Sequence, residues 1–416
     1  MRRVVITGLG AVTPLGIGVA PTWEAALAGT SGVGPITRFD LTDFSSRIAA
    51  EVKGFDPGQF IDRKEIKRMD PFLHYAMAAA HMAMEDSGLV IGPELAPRAG
   101  VYMGSGLGGL STLERYHKAY LMEGGPKKIS PFFIPMLISN LAPGNIAMKY
   151  GAKGPNILTS TACAASSHAI GEAMHAIRGG VCDVVIAGGA EATVTPLGVG
   201  GFCAMKALST RNGDPAGASR PFEKDRDGFV VGEGSAILVL EELEFARKRG
   251  AKVYAEILGY GASADAHHIT APAPGGEGAA RAMAAAIADA GVRAGEIDYI
   301  NAHGTSTPLN DLYETMAIKA VFGDRAKSIP VSSTKSMTGH LLGASGAIEA
   351  MFCALTIRDG VLPPTVNHTT PDPECDLDYV PNVKREHPVR YALSNSFGFG
   401  GTNSVLLFGR YGGPGR

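Results

Sequence analysis

An α/β fold built from two related halves is predicted by three observations. Short apolar runs alternate along the chain with alanine-rich helical stretches, the order expected when buried strands feed packed helices. Glycine and proline, 55 and 26 of the 416 residues, mark many tight turns. Two pairs of segments also recur in the same order, the first pair about 200 residues apart, which is the mark of a tandem duplication.

The strands are read at Val4 to Thr7, Val101 to Met103, Val184 to Ala187, Tyr254 to Leu258, Tyr299 to Ala302 and Ser404 to Phe408. The first repeated pair closes a helix and opens a strand. Ala80 to Leu89 ends in Met84, Asp86, Ser87, Gly88 and Leu89 and leads to Val101-Tyr102-Met103-Gly104; Met283 to Val292 ends in Ile287, Asp289, Ala290, Gly291 and Val292 and leads to Tyr299 to Gly304. In the second pair, Ser167-His168-Ala169-Ile170 opens a helix ended by Arg178-Gly179-Gly180. Ser345-Gly346-Ala347-Ile348 opens one ended by Arg358-Asp359-Gly360. A junction near Gly250 follows, giving halves over residues 1–250 and 251–410 and a flexible tail over 411–416. The charged, glycine-rich stretch 208–234 reads as a connecting loop.

Composition narrows the function. Hydrophobic residues make 45% of the chain and charged residues 19%, enough for a full core and far from disordered, collagenous or coiled-coil composition. With 38 basic and 40 acidic residues the net charge is −2, so nothing general attracts nucleic acid or an anionic membrane. An acidic partner would have to meet a local basic patch. Cys163, Cys182, Cys203, Cys353 and Cys375 are odd in number, widely spaced and without a C-x-x-C pair, which suggests neither a disulfide framework nor a structural zinc. Arg2-Arg3 and the following apolar run imitate a signal peptide until glycines and Pro14 interrupt it. No stretch approaches the ~20 apolar residues of a membrane span. A cytoplasmic protein is expected.

Three residues stand where chemistry is usually placed. Cys163, in Thr159-Ser160-Thr161-Ala162-Cys163-Ala164-Ala165, follows a strand and opens a helix whose Ile170, Met174 and Ile177 share one face. There the helix dipole and free N–H groups favour a thiolate, and a neighbouring N–H can face a developing oxyanion. His303, in Asn301-Ala302-His303-Gly304-Thr305-Ser306-Thr307-Pro308, ends a strand and precedes a hydroxyl-rich turn, a place from which side chains reach a cleft. His340 lies in Lys335-Ser336-Met337-Thr338-Gly339-His340. Gly8-x-Gly10, the glycines at 104–109 and Phe397 to Asn403 invite a nucleotide reading. No G-x-x-x-x-G-K-[ST] occurs, and Pro14 interrupts the helix a dinucleotide would need, so backbone turns near a site are the better account.

In this order these segments resemble the β-ketoacyl-[acyl-carrier-protein] synthases, elongating condensing enzymes of the thiolase superfamily. The match runs from Val4-Val5-Ile6-Thr7-Gly8 through the Cys163 turn, Gly188-Gly189-Ala190-Glu191, Ser219 to Gly234 and the two histidine motifs to Asn395 to Asn403. The resemblance implies a duplicated thiolase-like fold, five layers α/β/α/β/α with two mixed sheets, and a homodimer. It implies that Cys163 takes an acyl chain as a thioester and that His303 and His340 stabilise the malonyl thioester oxygen during decarboxylation, neither acting as a metal ligand. Lys335 would orient His340 and Glu349 support Lys335. The N–H groups of Cys163 and Phe399 would form the oxyanion hole, the Phe399 ring gating the two half-reactions.

Thr305, Thr307 and Thr270 would hold the phosphopantetheine arm, and Leu107 and Phe202 would line the acyl pocket, with Ile134 entering from a dimer mate. Carrier proteins are acidic, so Lys64, Lys67, Arg68 and Lys206 would dock one. No redox cofactor or catalytic metal is expected. A histidine in the third position separates this pattern from the Cys-His-Asn enzymes. Retention of Cys163, His303, His340 and Lys335 argues against a non-catalytic chain-length partner, and a polyketide-type condensing enzyme uses the same residues.

Overall fold

The structure, a computed structural model, describes residues 2–412. Its first half contains β1 (Val4–Thr13), β2 (Ala99–Gly104), β3 (Asn156–Thr159), β4 (Val184–Glu191) and β5 (Gly234–Glu242), arranged β3-β2-β4-β5-β1. The second contains β6 (Ala255–Ala264), β7 (Tyr299–Asn301), β8 (Val331–Ser332), β9 (Tyr391–Gly398) and β10 (Thr402–Gly409), arranged β8-β7-β9-β10-β6. The order is the same, shifted by one half. So are the senses: β2 runs parallel to β3 and β4 and β7 parallel to β8 and β9, while every later pair in each half is antiparallel. The two mixed sheets meet edge to edge where Val4 to Ile6 pairs with Ala255 to Ile257, making one continuous hydrogen-bonded path.

Five helices complete the layers: α1 (Pro71–Ser87), α2 (Ala165–Arg178), α3 (Glu277–Ala290), α4 (Pro308–Phe322) and α5 (Ser345–Asp359). Helix α1 covers the outer face of the first half, α3 and α4 that of the second, and α2 and α5 pack together between the halves. Successive strand residues therefore feed different cores. Ile237 and Val239 join the outer cluster around Phe72 and Leu73, whereas Leu238 and Leu240 join the central cluster with Met174, Met351 and Phe352. On β10, Val405 and Leu407 face the outer cluster of Met283 and Ile318, and Leu406 and Phe408 the central one. Every residue of α5 from Ser345 to Ile357 is buried, as a helix covered on all sides requires.

The Gly8-x-Gly10 pair proves not to be a turn. It lies inside β1, which runs on to Thr13 rather than stopping at Thr7, and lets α1 approach the strand: a Cβ would fall 2.3 Å from the Ala83 carbonyl oxygen at Gly8 and 2.0 Å from that of Ala79 at Gly10. The second half repeats the device, Gly259 and Gly261 giving 2.2 Å to Ala286 O and 2.1 Å to Ala282 O. The turns before α2 and α5 also match. Ala162 and Leu342 both have φ 49° and each opens a 3-10 turn, so Ala165, not Ser167, stands opposite Ser345.

The 208–234 connection is a loop, but not a solvated one. Much of it, including Arg220, Glu223 and Arg226, is buried, because Arg226 meets Asp311 and Asp372 and donates to the carbonyls of Glu223 and Pro308. Within the expected tail, Tyr411 is held by Arg247, whose Nε donates to its hydroxyl at 3.1 Å; residues 413–416 lie outside the described residues. Among the described residues no helix is long and apolar enough to cross a membrane.

Candidate active site

The chain leaves β3 at Thr159 and reaches α2 at Ala165 through the strained turn at Ala162, which leaves Cys163 buried at the floor of a cavity. The β9–β10 hairpin lies directly on this turn. A Cβ at Gly398 would stand 2.9 Å from Thr161 O and 3.2 Å from Cys163 N. Three residues, Phe399, Gly400 and Gly401, close the hairpin, and the two glycines take φ 84° and 68°, a region L-residues avoid. The tight reversal brings the Phe399 N–H to the Cys163 sulfur, where the N–H of Cys163 itself also reaches.

His303 follows β7, and Glu314 on α4 fixes its backbone by accepting N–H bonds from His303 (2.8 Å) and Gly304 (2.7 Å). His340 is placed by its N–H donation to Val230 O at 2.8 Å and by Ser345, whose hydroxyl lies 2.9 Å from Nδ1. The two rings meet edge to face with centroids 5.4 Å apart, and one nitrogen of each lies with Cys163 Sγ in a group no wider than 4.8 Å. Both rings have an unpartnered nitrogen, His303 Nδ1 and His340 Nε2.

Behind them, Lys335 pairs with Glu349, both side chains almost completely buried. Burial, and then the Lys335 charge, hold both histidines well below the ordinary imidazole range, so each is neutral near pH 7. Burial lifts Glu349 against the pull of Lys335. The thiol corrects the expectation drawn from the helix terminus. Burial pushes Cys163 up to about 11, outweighing the lowering by Lys335 and the Phe399 N–H. The resting group is a thiol.

The cavity above, about 600 Å³, brings together Cys163, His303, His340, Phe399, Leu107, Phe202, Thr270, Thr305, Thr307 and Lys206. Thr305 and Thr307 share a hydroxyl contact of 2.9 Å; the Thr270 N–H donates to His268 Nδ1 at 3.1 Å. Phe202 meets Phe229 edge-on, and Phe229 in turn meets the His340 ring edge-on. Lys335 and Glu349 support the site without lining it. Lys64, Lys67 and Arg68 are exposed away from the cavity wall, Arg68 lying over Phe132 at 4.6 Å, and Ile134 is exposed beside it.

Sequence reasoning missed several supports. Glu191 is buried and accepts N–H bonds from Gly106 (2.7 Å), Leu107 (3.1 Å) and Gly343 (3.0 Å), tying together loops from both halves. It stood in the matched Gly188 to Glu191 run without a role, and a glutamate inside an apolar strand was the available signal. Glu314 and Ser345 gave none. As for ions, the Cys163, His303 and His340 donors are the one such cluster among the described residues.

Comparison with known proteins agrees with this geometry. The model of the β-ketoacyl synthase N-terminal domain matches residues 1–246 and that of the C-terminal domain residues 254–369. The chain belongs to the β-ketoacyl synthase family. It is 55% identical over 410 residues to 3-oxoacyl-[acyl-carrier-protein] synthase 2 of Synechocystis sp., covering 99% of this chain and 98% of the relative. Among solved structures, a chain of the ishigamide ketosynthase/chain length factor superposes with a TM-score of 0.92 at 40% identity, covering 99% and 100% of the two chains. A type II polyketide synthase acyl-carrier protein in complex with its ketosynthase bound to the hexaketide gives 0.91 at 38%, covering 98% and 99%. The family's thiolase-like, Cys-His-His arrangement is thus the one found here.

Proposed function

We propose that this chain is a 3-oxoacyl-[acyl-carrier-protein] synthase that elongates fatty acids by decarboxylative condensation, an acyltransferase. The observation that carries the reading is the convergence of Cys163, His303 and His340 beneath two N–H donors. Cys163 attacks the acyl thioester, its proton passing through a neighbouring neutral imidazole to the departing pantetheine sulfur. Negative charge on the carbonyl oxygen falls to the N–H groups of Cys163 and Phe399. Malonyl-carrier protein then loses carbon dioxide, the C–C electron pair becoming an enolate whose oxygen takes N–H bonds from His303 and His340. This role requires the His340 ring proton on Nε2, with the Ser345 hydroxyl, 2.9 Å away, as the donor to Nδ1. The enolate carbon attacks the acyl-Cys163 carbonyl, and expulsion of the sulfur leaves 3-oxoacyl-carrier protein and regenerated Cys163.

No electrons are gained or lost overall, so the sequence of steps needs no redox cofactor, and we assign no catalytic metal. Burial keeps the imidazoles neutral, aided by the charge of Lys335, which Glu349 supports and which orients His340. Thr305, Thr307 and Thr270 hold the pantetheine arm; Leu107 and Phe202 line the acyl end. The partner is acyl carrier protein, received at Lys206 and at Lys64, Lys67 and Arg68, and the enzyme works in the cytoplasm as a homodimer covering the exposed Phe132, Ile134 and Ile138. The relative's name and the carrier-protein complex of the structural neighbour support this partner.

The test is intact-protein mass after incubation with acyl-carrier proteins of graded chain length. One acyl group added to the wild type and absent from Cys163→Ala is expected. No adduct with any primer would overturn the reading.

A further inference from the structure

His168 is a buried histidine on the first turns of α2 that the steps above do not use. We propose that it is a positioning residue, locking the Thr161 to Cys163 turn against the β9–β10 hairpin so that the N–H groups of Cys163 and Phe399 converge on one oxygen.

Thr161 faces two ways. Its hydroxyl lies 2.8 Å from His168 Nδ1, and its carbonyl oxygen abuts Gly398, where a Cβ would come within 2.9 Å. The same imidazole reaches the backbone carbonyl of Asn403 on the returning strand of the hairpin. One ring thus touches both elements that carry the donors. The ring is itself fixed: Tyr260 meets it edge-on at 6.2 Å and 85°, and Tyr260 cannot retreat because it packs on the α2 backbone at Gly171, where a Cβ would fall 2.4 Å from its ring. The turn needs such a hold. Thr161 lies at φ −114°, ψ 50° and Ala162 at φ 49°, a conformation alanine keeps only when its surroundings impose it. Since oxyanion donors act through alignment, a small release of this turn weakens them without removing either.

The inference rests on Cys163 being the acyl acceptor, and the experiment separates the two. Rapid-quench acylation by acyl-carrier protein and carbon dioxide release from malonyl-carrier protein are measured for the wild type, His168→Leu, His168→Asn, Thr161→Val and the Thr161→Val/His168→Leu double variant. His168→Leu is expected to slow acylation about 10- to 100-fold while carbon dioxide release, served by His303 and His340, stays within about twofold. Thr161→Val falls in the same direction, the double variant is no slower than the slower single, and His168→Asn, which keeps a hydrogen-bonding group near Nδ1, restores most of the rate. Wild-type acylation in His168→Leu, a double variant showing the product of the two losses, or equal falls in both reactions would overturn it. Should His168→Leu fail to fold, unchanged acylation in Thr161→Val does the same. A wild type that never becomes acylated overturns the underlying reading instead.

Discussion

Lys335 rests its ammonium on Glu349 Oε1, while Oε2 of the same carboxylate is buried without a hydrogen-bond partner. The pair is therefore held by one oxygen in a site sealed from water, where losing one partner strands the other. Glu349→Gln should destabilise the fold by about 3–5 kcal/mol in urea titrations, and Lys335→Met combined with it should recover part of that loss. A single variant as stable as the wild type would show that the ammonium has another counter-charge.

The thiol gives a pH test. Burial holds Cys163 near 11 and Lys335 acts to lower it. Alkylation by iodoacetamide should rise about tenfold per pH unit from pH 7 to 9, because the thiolate is a small fraction throughout. Lys335→Met removes the lowering influence, raises the pKa and slows alkylation at every pH. A plateau below pH 8 would instead mean a stabilised thiolate.

The hairpin glycines are distinguishable. Both have positive φ, but a Cβ at Gly400 meets nothing within 4 Å, whereas one at Gly401 falls 2.8 Å from Asp265 Cβ. Gly400→Ala should cost about 1 kcal/mol of backbone strain, and Gly401→Ala should cost more and lower the acylation rate further. Paired stability and rapid-quench measurements check the order; equal losses would mean that the loop relaxes around either methyl.

Charge reversal examines docking. Lys206→Glu at the cavity rim, and Lys64→Glu with Lys67→Glu on the other patch, should each raise the apparent KM for acyl-carrier protein at low salt. The difference from wild type should shrink by 0.5 M salt, where screening acts over about 4 Å. Unchanged KM at low salt would remove that patch from the docking surface.

Much of the site was legible because its signals are local. Cys163 stands at a strand-to-helix turn, His303 and His340 sit in glycine- and hydroxyl-rich loops, and the duplicated helix ends announced two halves. What was hidden depends on packing. The pull of a helix terminus on Cys163 can be read from sequence, but the larger push of burial cannot. Gly8-x-Gly10 reads as a turn until α1 is seen lying on it. The charged 208–234 segment reads only as a loop; its burial shows once Asp311 and Asp372 are brought to Arg226 from far along the chain. Glu191 likewise owes its importance to loop partners brought from both halves, and His168 to contacts that only the folded turn and hairpin supply.

Glu191 carries one last implication. In the second half, the turn that mirrors the Cys163 turn has Gly343 in the cysteine's place, and its N–H is already spent on the Glu191 carboxylate. A side chain there would press a Cβ to 2.3 Å from Gly106 N and 2.7 Å from Glu191 Oε2. The duplicated scaffold thus offers two similar cradles for negative charge, one permanently filled from within and one left open for a charge that appears only during reaction. A chain of this design has room for a single acyl group, and an acyl count above one per chain would have to come from outside the cavity.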